Sequence, residues 1–219
     1  MFIVQLLKQI PFTKRIILKM KSSRFSKNNS FSNMSKDVVD IDYTDKCKDN
    51  KIIIGKDCRL DFPLIRVRGC HNTIIIEDGV YIGKQCSFWM EGQGIKIVIG
   101  KNTSFTQRCH FCAQENEVSI IVGEDCMFSN KIIVRTSDSH PIYDLNTKER
   151  LNPANSVKIG NHVWVAPDTK IMKGAEIGDG CIVGSNTMIN KKFLADSLIV
   201  GLPGRVVREN VYWTREKLF

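Results

Sequence analysis

The sequence predicts an all-β solenoid, and three observations indicate this fold class. First, an Ile or Val recurs at every sixth position near the C-terminus: Ile159, Val165, Ile171, Ile177, Val183 and Ile189. Second, the same register continues upstream, in shorter groups, back to Ile54. Third, a small or β-branched residue often lies four positions after the aliphatic one. A period of six fits neither a helix face nor simple strand alternation, so the repeat is a structural unit in its own right.

Each six-residue unit is expected to form one short strand and one turn, and three units form one triangular coil. The aliphatic and small residues point into the prism, whereas Gly, Asn and Asp take the corners. No coil buries its apolar face alone, so the coils stack at about the strand spacing of 4.8 Å. The inward small positions hold five of the eight cysteines: Cys58, Cys86, Cys109, Cys126 and Cys181.

The length of 219 residues fits one solenoid domain with short end segments. We predict a basic N-terminal capping and connecting segment at residues 1–45, with a poorly ordered connector at 21–36. The β-helix domain then occupies residues 46–205, and a short C-terminal helix occupies 206–219.

The net charge of +9 is concentrated at the N-terminus, where the first 36 residues contain eight Lys or Arg and no Asp or Glu. Residues 2–20 mix these bases with Ile, Val, Leu and Phe, without a bilayer-spanning stretch or a clean signal-peptide core. Two interpretations stay open. The segment either caps the open end of the solenoid, or it is an interfacial amphipathic segment that associates peripherally with an anionic membrane or polymer.

The repeat is interrupted at three places. After Phe88 and after Phe111 the next aliphatic residue comes eleven positions later, so we expect loops at 89–98 and 112–121 to leave the prism at one corner. The longest interruption separates Val134 from Ile159 and defines a loop at 135–156. A long excursion from a rigid solenoid is where function is expected.

Several other kinds of site are not supported by the sequence. The run from Cys109 to Cys112 has the spacing of a zinc or redox pair, but no second pair completes it. No Gly-x-Ser-x-Gly motif or phosphate-binding loop is present. We therefore expect no metal cofactor and no nucleic-acid partner, and the free thiols favour a reducing cytosol.

The long loop reads Ser137-Asp138-Ser139-His140-Pro141-Ile142-Tyr143-Asp144, and the next coil reads Asn161-His162-Val163-Trp164-Val165-Ala166. With the repeat over about 52–205, these segments resemble the hexapeptide-repeat acyltransferases, and among them the capsular polysaccharide and sialic acid O-acetyltransferases. The resemblance implies a left-handed parallel β-helix and a homotrimer with active sites between subunits. It also implies that His140 is the catalytic base and that Trp164 lies beside the thioester of acetyl-CoA. Pro167 and Leu202-Pro203-Gly204 depart from the usual family residues.

The resemblance also implies an acetyl-CoA segment in the last coils. Its residues would be Trp164, Ala166, Gly184, Ser185, Lys191, Lys192, Gly201, Pro203 and Arg205. Contacts with the acceptor are assigned by position alone, to Asp138, Tyr143 and Trp89.

The chemistry is that of a hydroxyl nucleophile. A sugar hydroxyl is weakly nucleophilic at neutral pH, and an imidazole is suited to remove its proton. A backbone N–H or the indole of Trp164 would stabilise the oxyanion, and Asp138, Asp144 or a backbone carbonyl would orient the imidazole.

These features favour O-acetyl transfer from acetyl-CoA to a cell-surface polysaccharide, expected to be acidic, or to its sugar precursor. The alternative is an acetyltransferase for a free sugar or an antibiotic alcohol. A γ-class carbonic anhydrase is disfavoured because His140 lacks the histidine companions of a zinc site. The expected location is the cytoplasm, with the inner face of the membrane as the alternative.

Overall fold

The computed structural model describes residues 2–44 and 46–218, and the side chains within those ranges from residue 13 onwards. Its strands form three parallel sheets, which are the faces of a triangular prism. The first face contains β1 (Ser30–Asn33), β3 (Lys51–Ile54), β6 (Thr73–Ile76), β9 (Lys96–Ile99), β12 (Ser119–Val122), β15 (Val157–Ile159), β18 (Glu176–Ile177) and β21 (Lys192–Phe193). The second face contains β4 (Arg59–Leu60), β7 (Tyr81–Ile82), β10 (Ser104–Gln107), β13 (Met127–Asn130), β16 (Trp164–Val165), β19 (Ile182–Val183), β22 (Ser197–Val200) and the antiparallel β23 (Arg205–Glu209). The third face contains β2 (Asp40–Tyr43), β5 (Leu64–Arg68), β8 (Ser87–Glu91), β11 (His110–Gln114), β14 (Ile133–Arg135), β17 (Lys170–Ile171) and β20 (Met188–Ile189).

The predicted solenoid is confirmed. From β3 onwards the chain visits the first, second and third faces in turn, so neighbouring strands of one face come from successive coils. The six-residue register gives the inward side chains, because Ile54, Ile82 and Val183 are all fully buried. The cysteines at the small inward positions are buried as well, and all eight thiols are free.

Phenylalanine fills the prism where the coils are widest. Phe88, Phe105, Phe111 and Phe128 are fully buried, and their ring centroids lie between 4.8 and 6.0 Å apart. Stacked and edge-on pairs of this kind stabilise a core beyond their area of burial.

The loops expected at 89–98 and 112–121 do not leave the prism, so that prediction is wrong. The alternation of inward and outward residues continues past Phe88, so Met90 and Ile97 are also buried and the additional residues lengthen β8 and β9. The same holds for β11 and β12 in the next coil. Trp89 consequently lies on the outer side of the third face rather than in a loop.

The N-terminal segment is helical and packs on the first coil. Helix α1 (Phe2–Phe25) buries Leu18 and Phe25, and the Phe25 ring contacts Tyr43 of β2 edge-on at 5.3 Å. Residues 21–36 are therefore not a disordered connector, because they end α1 and form β1, and the solenoid begins before residue 46. Within the described ranges, no helix has the length and apolarity needed to cross a membrane.

The C-terminal helix predicted at 206–219 is absent from the described residues, so this prediction is also wrong. Strand β23 pairs with β22, and residues 210–218, which we call the C-terminal strap, continue in extended form. Val211, Trp213 and Arg215 alternate along the strap and bond three different coils at the corner between the first and second faces. A period of two suits an extended segment, and these tertiary partners override helix propensity.

Candidate active site

The loop between β14 and β15 is an ordered hairpin at the corner between the third and first faces. The N–H of Leu151 donates to the carbonyl of Ile142 at 2.8 Å, and Tyr143 pairs with Arg150 as an antiparallel bridge. The loop therefore has a fixed shape, formed largely by its own backbone.

Asn152 fastens the root of this hairpin. It is 7% exposed, and its amide nitrogen donates to Asp138 Oδ2 and to the carbonyl of His140, each at 2.9 Å. Its oxygen accepts the N–H of Ile142 at 2.7 Å. Lys173 of the following coil donates to Asp138 Oδ2 at 2.6 Å, and Lys173 and Asn152 together lower the pKa of the Asp138 carboxyl.

The other side of the hairpin is tied to the preceding coil through Glu115. Arg150 donates two hydrogen bonds to the Glu115 carboxylate, each at 2.7 Å, and Ser137 Oγ donates a third at 2.6 Å. The Arg150 guanidinium and the Ser137 hydroxyl lower the pKa of Glu115 to about 2. The loop is thus held from both neighbouring coils.

His140 presents an exposed imidazole at this rigid position. Its ring makes no hydrogen bond within the described part of the chain, although its carbonyl is fixed by Asn152. Neither expected orienting carboxylate reaches the ring: Asp138 bonds Lys173 and Asn152, and Asp144 accepts the N–H groups of Asn146 and Thr147. The described contacts therefore position the imidazole only through its own backbone, which Asn152 holds.

A groove of about 440 Å³ runs beside the hairpin. It is lined by Glu91, Gly92, Gln114, Glu115, Asn116, Ser137, Ser139, Pro141, Tyr143 and Arg150. Of the three side chains expected to contact an acceptor, Tyr143 lines the groove, whereas Asp138 and Trp89 do not. Ser139 and Pro141, the chain neighbours of His140, line the groove, whereas His140 itself does not.

Trp164 lies on a different side of the molecule. It starts β16 and points outward from the second face, which is the face opposite the corner that carries His140. Its indole lies 6.0 Å from that of Trp213 in the C-terminal strap. Within one chain, the two residues expected to catalyse the reaction therefore do not share a site.

His162 anchors the C-terminal strap. Its ring stacks on Trp213 at 4.2 Å, and its Nδ1 and Nε2 lie 2.7 Å from Asp125 and 3.0 Å from the Trp213 carbonyl. Arg215 also donates to Asp125 at 2.7 Å. Although burial raises the pKa of Asp125, the hydrogen bonds from Arg215 and His162 outweigh it and the pKa is lowered.

Comparison with known proteins identifies the family. The family model "Bacterial transferase hexapeptide (six repeats)" matches residues 156–191. A polysialic acid O-acetyltransferase of Neisseria meningitidis is 34% identical over 169 residues, which are 76% of this chain and 76% of the relative. The chain belongs to this family of hexapeptide-repeat O-acetyltransferases.

Other relatives agree with this assignment. A polysialic acid O-acetyltransferase of Escherichia coli O1:K1 / APEC is 30% identical over 123 residues, covering 56% of this chain but only 39% of the relative. The crystal structure of the polySia-specific acetyltransferase NeuO superposes with a TM-score of 0.74 at 26% identity, covering 88% of this chain and 85% of that one. For the polysialic acid O-acetyltransferase OatWY the TM-score is 0.70 at 30% identity, with 86% and 92% covered.

In this acetyltransferase the residues expected to bind the donor fall into two groups. The first group lies on the second face and at its corner with the third face: Trp164, Ala166, Gly184, Ser185, Gly201, Pro203 and Arg205. Lys191 and Lys192 form the second group, at the corner that carries the hairpin. Lys192 pairs with Glu176 at 2.9 Å, and the Lys191 ammonium lies 5.5 Å from the Phe193 ring.

Several residues that shape the site were not identified from the sequence, among them Glu115, Arg135, Asn152, Lys173 and Trp213. Arg135 and Lys173 lie next to the loop on successive coils, so the six-residue register was the signal that could have found them. Asn152 and Trp213 fall outside the repeat, and nothing in the spacing indicates their partners.

The described residues contain no group of three or more His, Cys, Asp or Glu side chains arranged to hold a metal ion. Cys109 faces the core and Cys112 the outer side of β11, so these two thiols do not converge on one point.

Proposed function

We propose that this chain transfers an acetyl group from acetyl-CoA to a hydroxyl of an acidic cell-surface polysaccharide or its sugar precursor. The observation that carries the proposal is the similarity, over 76% of both chains, to a polysialic acid O-acetyltransferase. The free thiols suit the reducing cytoplasm in which acetyl-CoA is available.

His140 acts as the general base in this proposal. Its imidazole removes the proton of the acceptor hydroxyl while the oxygen attacks the thioester carbonyl, and the resulting imidazolium then protonates the departing thiolate of coenzyme A. Such proton transfer contributes typically about 10²–10⁴ to the rate. The fixed hairpin suits this role because the imidazole is already positioned before the acceptor arrives.

The complete site is formed between subunits of a homotrimer. His140 and Lys191 lie at one corner of the prism, whereas Trp164 and the small residues Ala166 and Gly184 lie on and beside the opposite face. Two neighbouring copies bring such halves together, with the hairpin of one subunit facing the second face of the next. The small side chains let the pantetheine arm approach the backbone. The lysines at the corner bind the phosphates of coenzyme A.

The acceptor lies in the groove along the hairpin. Tyr143 is 58% exposed there and offers an aromatic face and a hydroxyl to a sugar ring. A groove open at the surface, rather than a closed cavity, suits a segment of a polymer.

The test is release of the coenzyme A thiol from acetyl-CoA by the purified chain. The acceptors are polysialic acid, a uronic-acid polymer, a neutral polysaccharide, free sugars and chloramphenicol. We expect release with an acidic polymer, a loss of at least about 10²-fold for His140→Ala, and little change for His71→Ala, which removes an exposed histidine of an earlier coil. Release only with free sugars or chloramphenicol, or full activity of His140→Ala, would overturn the proposal.

A further inference from the structure

Arg135 occupies the last position of β14, directly before the hairpin. It points outward from the third face and is half-buried. Its Nη2 donates to Gln114 Oε1 at 2.9 Å and to Ser139 Oγ at 2.5 Å. Both acceptors line the groove, and Ser139 precedes His140 in the chain, so the guanidinium lies directly behind this part of the groove wall.

Every carboxylate around this guanidinium already has a partner. Asp138 pairs with Lys173 at 2.6 Å, and Glu115 pairs with Arg150 at 2.7 Å. The third carboxylate, Glu91, accepts the side-chain amide of Gln114 at 2.8 Å and lies 3.9 Å from Arg66. Among the described residues, no carboxylate forms an ion pair with Arg135.

The guanidinium is also incompletely hydrogen-bonded. Its Nε is buried and meets no acceptor, and its Nη1 makes no hydrogen bond within the described ranges. A partly buried charge without a direct ion pair and with a buried unsatisfied donor is costly, and such groups mark sites where an external ligand supplies an opposite charge. The ligand that matches a guanidinium is a planar anion such as a carboxylate.

We propose that Arg135 binds the carboxylate of the acidic sugar whose hydroxyl is acetylated, and thereby makes the enzyme specific for acidic acceptors. This inference rests on the proposed function and names the substrate group that the groove recognises. The carboxylate meets Nη1, while Gln114 and Ser139 hold Nη2 and fix the plane of the guanidinium. With its carboxylate bound at Arg135, the sugar lies in the groove beside His140.

The test compares an acidic polysaccharide with the same polymer after its carboxyl groups have been reduced to primary alcohols. Steady-state KM and kcat are measured by coenzyme A thiol release for the wild type, Arg135→Gln and Arg135→Lys. Arg108→Gln is the matched control, because Arg108 is exposed and donates to Gln85 at 2.8 Å, away from the groove. The Kd of acetyl-CoA is measured separately for each variant by calorimetry.

We expect the wild type to lose about 10- to 100-fold in kcat/KM on the reduced polymer, mainly through KM, as for a lost charged hydrogen bond. Arg135→Gln should lose the same factor in kcat/KM on the acidic polymer, and it should match the wild type on the reduced polymer. Arg135→Lys should have an intermediate kcat/KM, and Arg108→Gln should behave as the wild type.

Four results would overturn the inference. Equal losses of Arg135→Gln on both polymers would mean that Arg135 acts through Ser139 and the hairpin. A weaker Kd for acetyl-CoA would assign Arg135 to the donor. Equal turnover of both polymers by the wild type would remove the carboxylate from recognition while leaving the proposed function intact, whereas no release with either polymer would refute both.

Discussion

The side-chain amide of Asn152 donates a hydrogen bond to the backbone carbonyl of His140 at 2.9 Å. The same amide donates to Asp138 and accepts from the N–H of Ile142, so one buried side chain fixes the chain on both sides of the imidazole. In the proposed mechanism Asn152 is a positioning residue, because it acts on the base through the backbone and not on the substrate.

Asn152→Ala is expected to lower kcat about 10- to 100-fold, because misplacing a base by about 1 Å has effects of this size. The unsatisfied buried partners should also cost about 1–3 kcal/mol of stability. Initial rates of thiol release and a thermal melt measure the two effects. Asn146→Ala is the control, since Asn146 is exposed in the same loop. A kcat of Asn152→Ala within twofold of the wild type would show that the hairpin holds His140 without it.

The fold was predictable because its period is local. Each six-residue unit contains its own inward aliphatic residue, so the register gave the buried positions from Ile54 to Ile189 without knowledge of any tertiary contact. The six-residue register did not predict the structure between Phe88 and Ile99. There every second side chain, including Met90, still points into the prism, so the coil is wider. Spacing alone does not distinguish a longer strand from a protruding loop.

The candidate site was only half predictable. The residues around His140 and Trp164 form local motifs, but their partners come from other coils, as with Glu115 and Arg150 or Asp138 and Lys173. The hairpin lies outside the six-residue repeat, so the spacing of its residues does not indicate which of them meet. Its contacts depend on the tertiary structure of the loop. The C-terminal strap was missed for the same reason, because Trp213 and His162 meet only through tertiary packing.

Removal of the Trp213 indole should release the strap. Trp213 is 6% exposed, stacks on His162 and donates its Nε1 to the His162 carbonyl at 2.9 Å. Trp213→Ala is expected to cost about 3–5 kcal/mol, which lowers the melting temperature by roughly 6–20 °C for a chain of this size. Tyr212→Ala, at an 85% exposed neighbour, should melt like the wild type. Equal melting of the two variants would show that the strap is not held by the indole.

The hairpin should loosen in acid because of Glu115. Its pKa is lowered from about 4.5 to about 2, mainly by Arg150, so the ion pair stabilises the folded loop fully above about pH 5. That contribution is lost as the pH falls through the range between these two values. Hydrogen exchange of the amides at 136–155, corrected for intrinsic rates, should report faster local opening at pH 3 than at pH 6.

Glu115→Gln removes one of the titrating groups, so its loop exchange should depend less on pH over this range than that of the wild type. The remaining dependence belongs to Asp138, whose pKa Lys173 and Asn152 lower as well. Glu124→Gln, at an exposed position of another corner, should retain the wild-type dependence. If Glu115→Gln and the wild type open equally with acid, the pH dependence belongs to another group.

A single thiol should react in the folded protein. Seven of the eight cysteines are buried, and burial raises the pKa of Cys126 to about 11, whereas Cys70 is only partly buried. A chromogenic disulfide reagent should therefore titrate one thiol rapidly in the native state and eight after unfolding. Cys70→Ser should abolish the rapid phase. Rapid modification of several thiols at native pH would contradict the packed prism.

Subunit complementation should reveal whether His140 and Trp164 act across an interface. Neither His140→Ala nor Trp164→Ala alone is expected to transfer acetyl groups efficiently. In trimers that contain both variants, about one third of the intersubunit sites pair an intact His140 with an intact Trp164. Thiol release by the purified mixed assembly should recover to that fraction of the wild type. Sites contained within one subunit would recover nothing, because every chain carries one defect.

The extent of mixing is controlled by co-assembling His140→Ala with the wild type. Each active site needs one intact His140, whether the site lies within one subunit or between two. The activity should therefore fall to about one half of the wild-type activity in either arrangement. Two different affinity tags, purified in sequence, ensure that the assayed assemblies contain both variants. The doubly tagged assembly of His140→Ala and Trp164→Ala should be active, and a mixture of the separately purified variants without subunit exchange should be inactive. These two results together require that opposite sides of the prism meet across the subunit boundary.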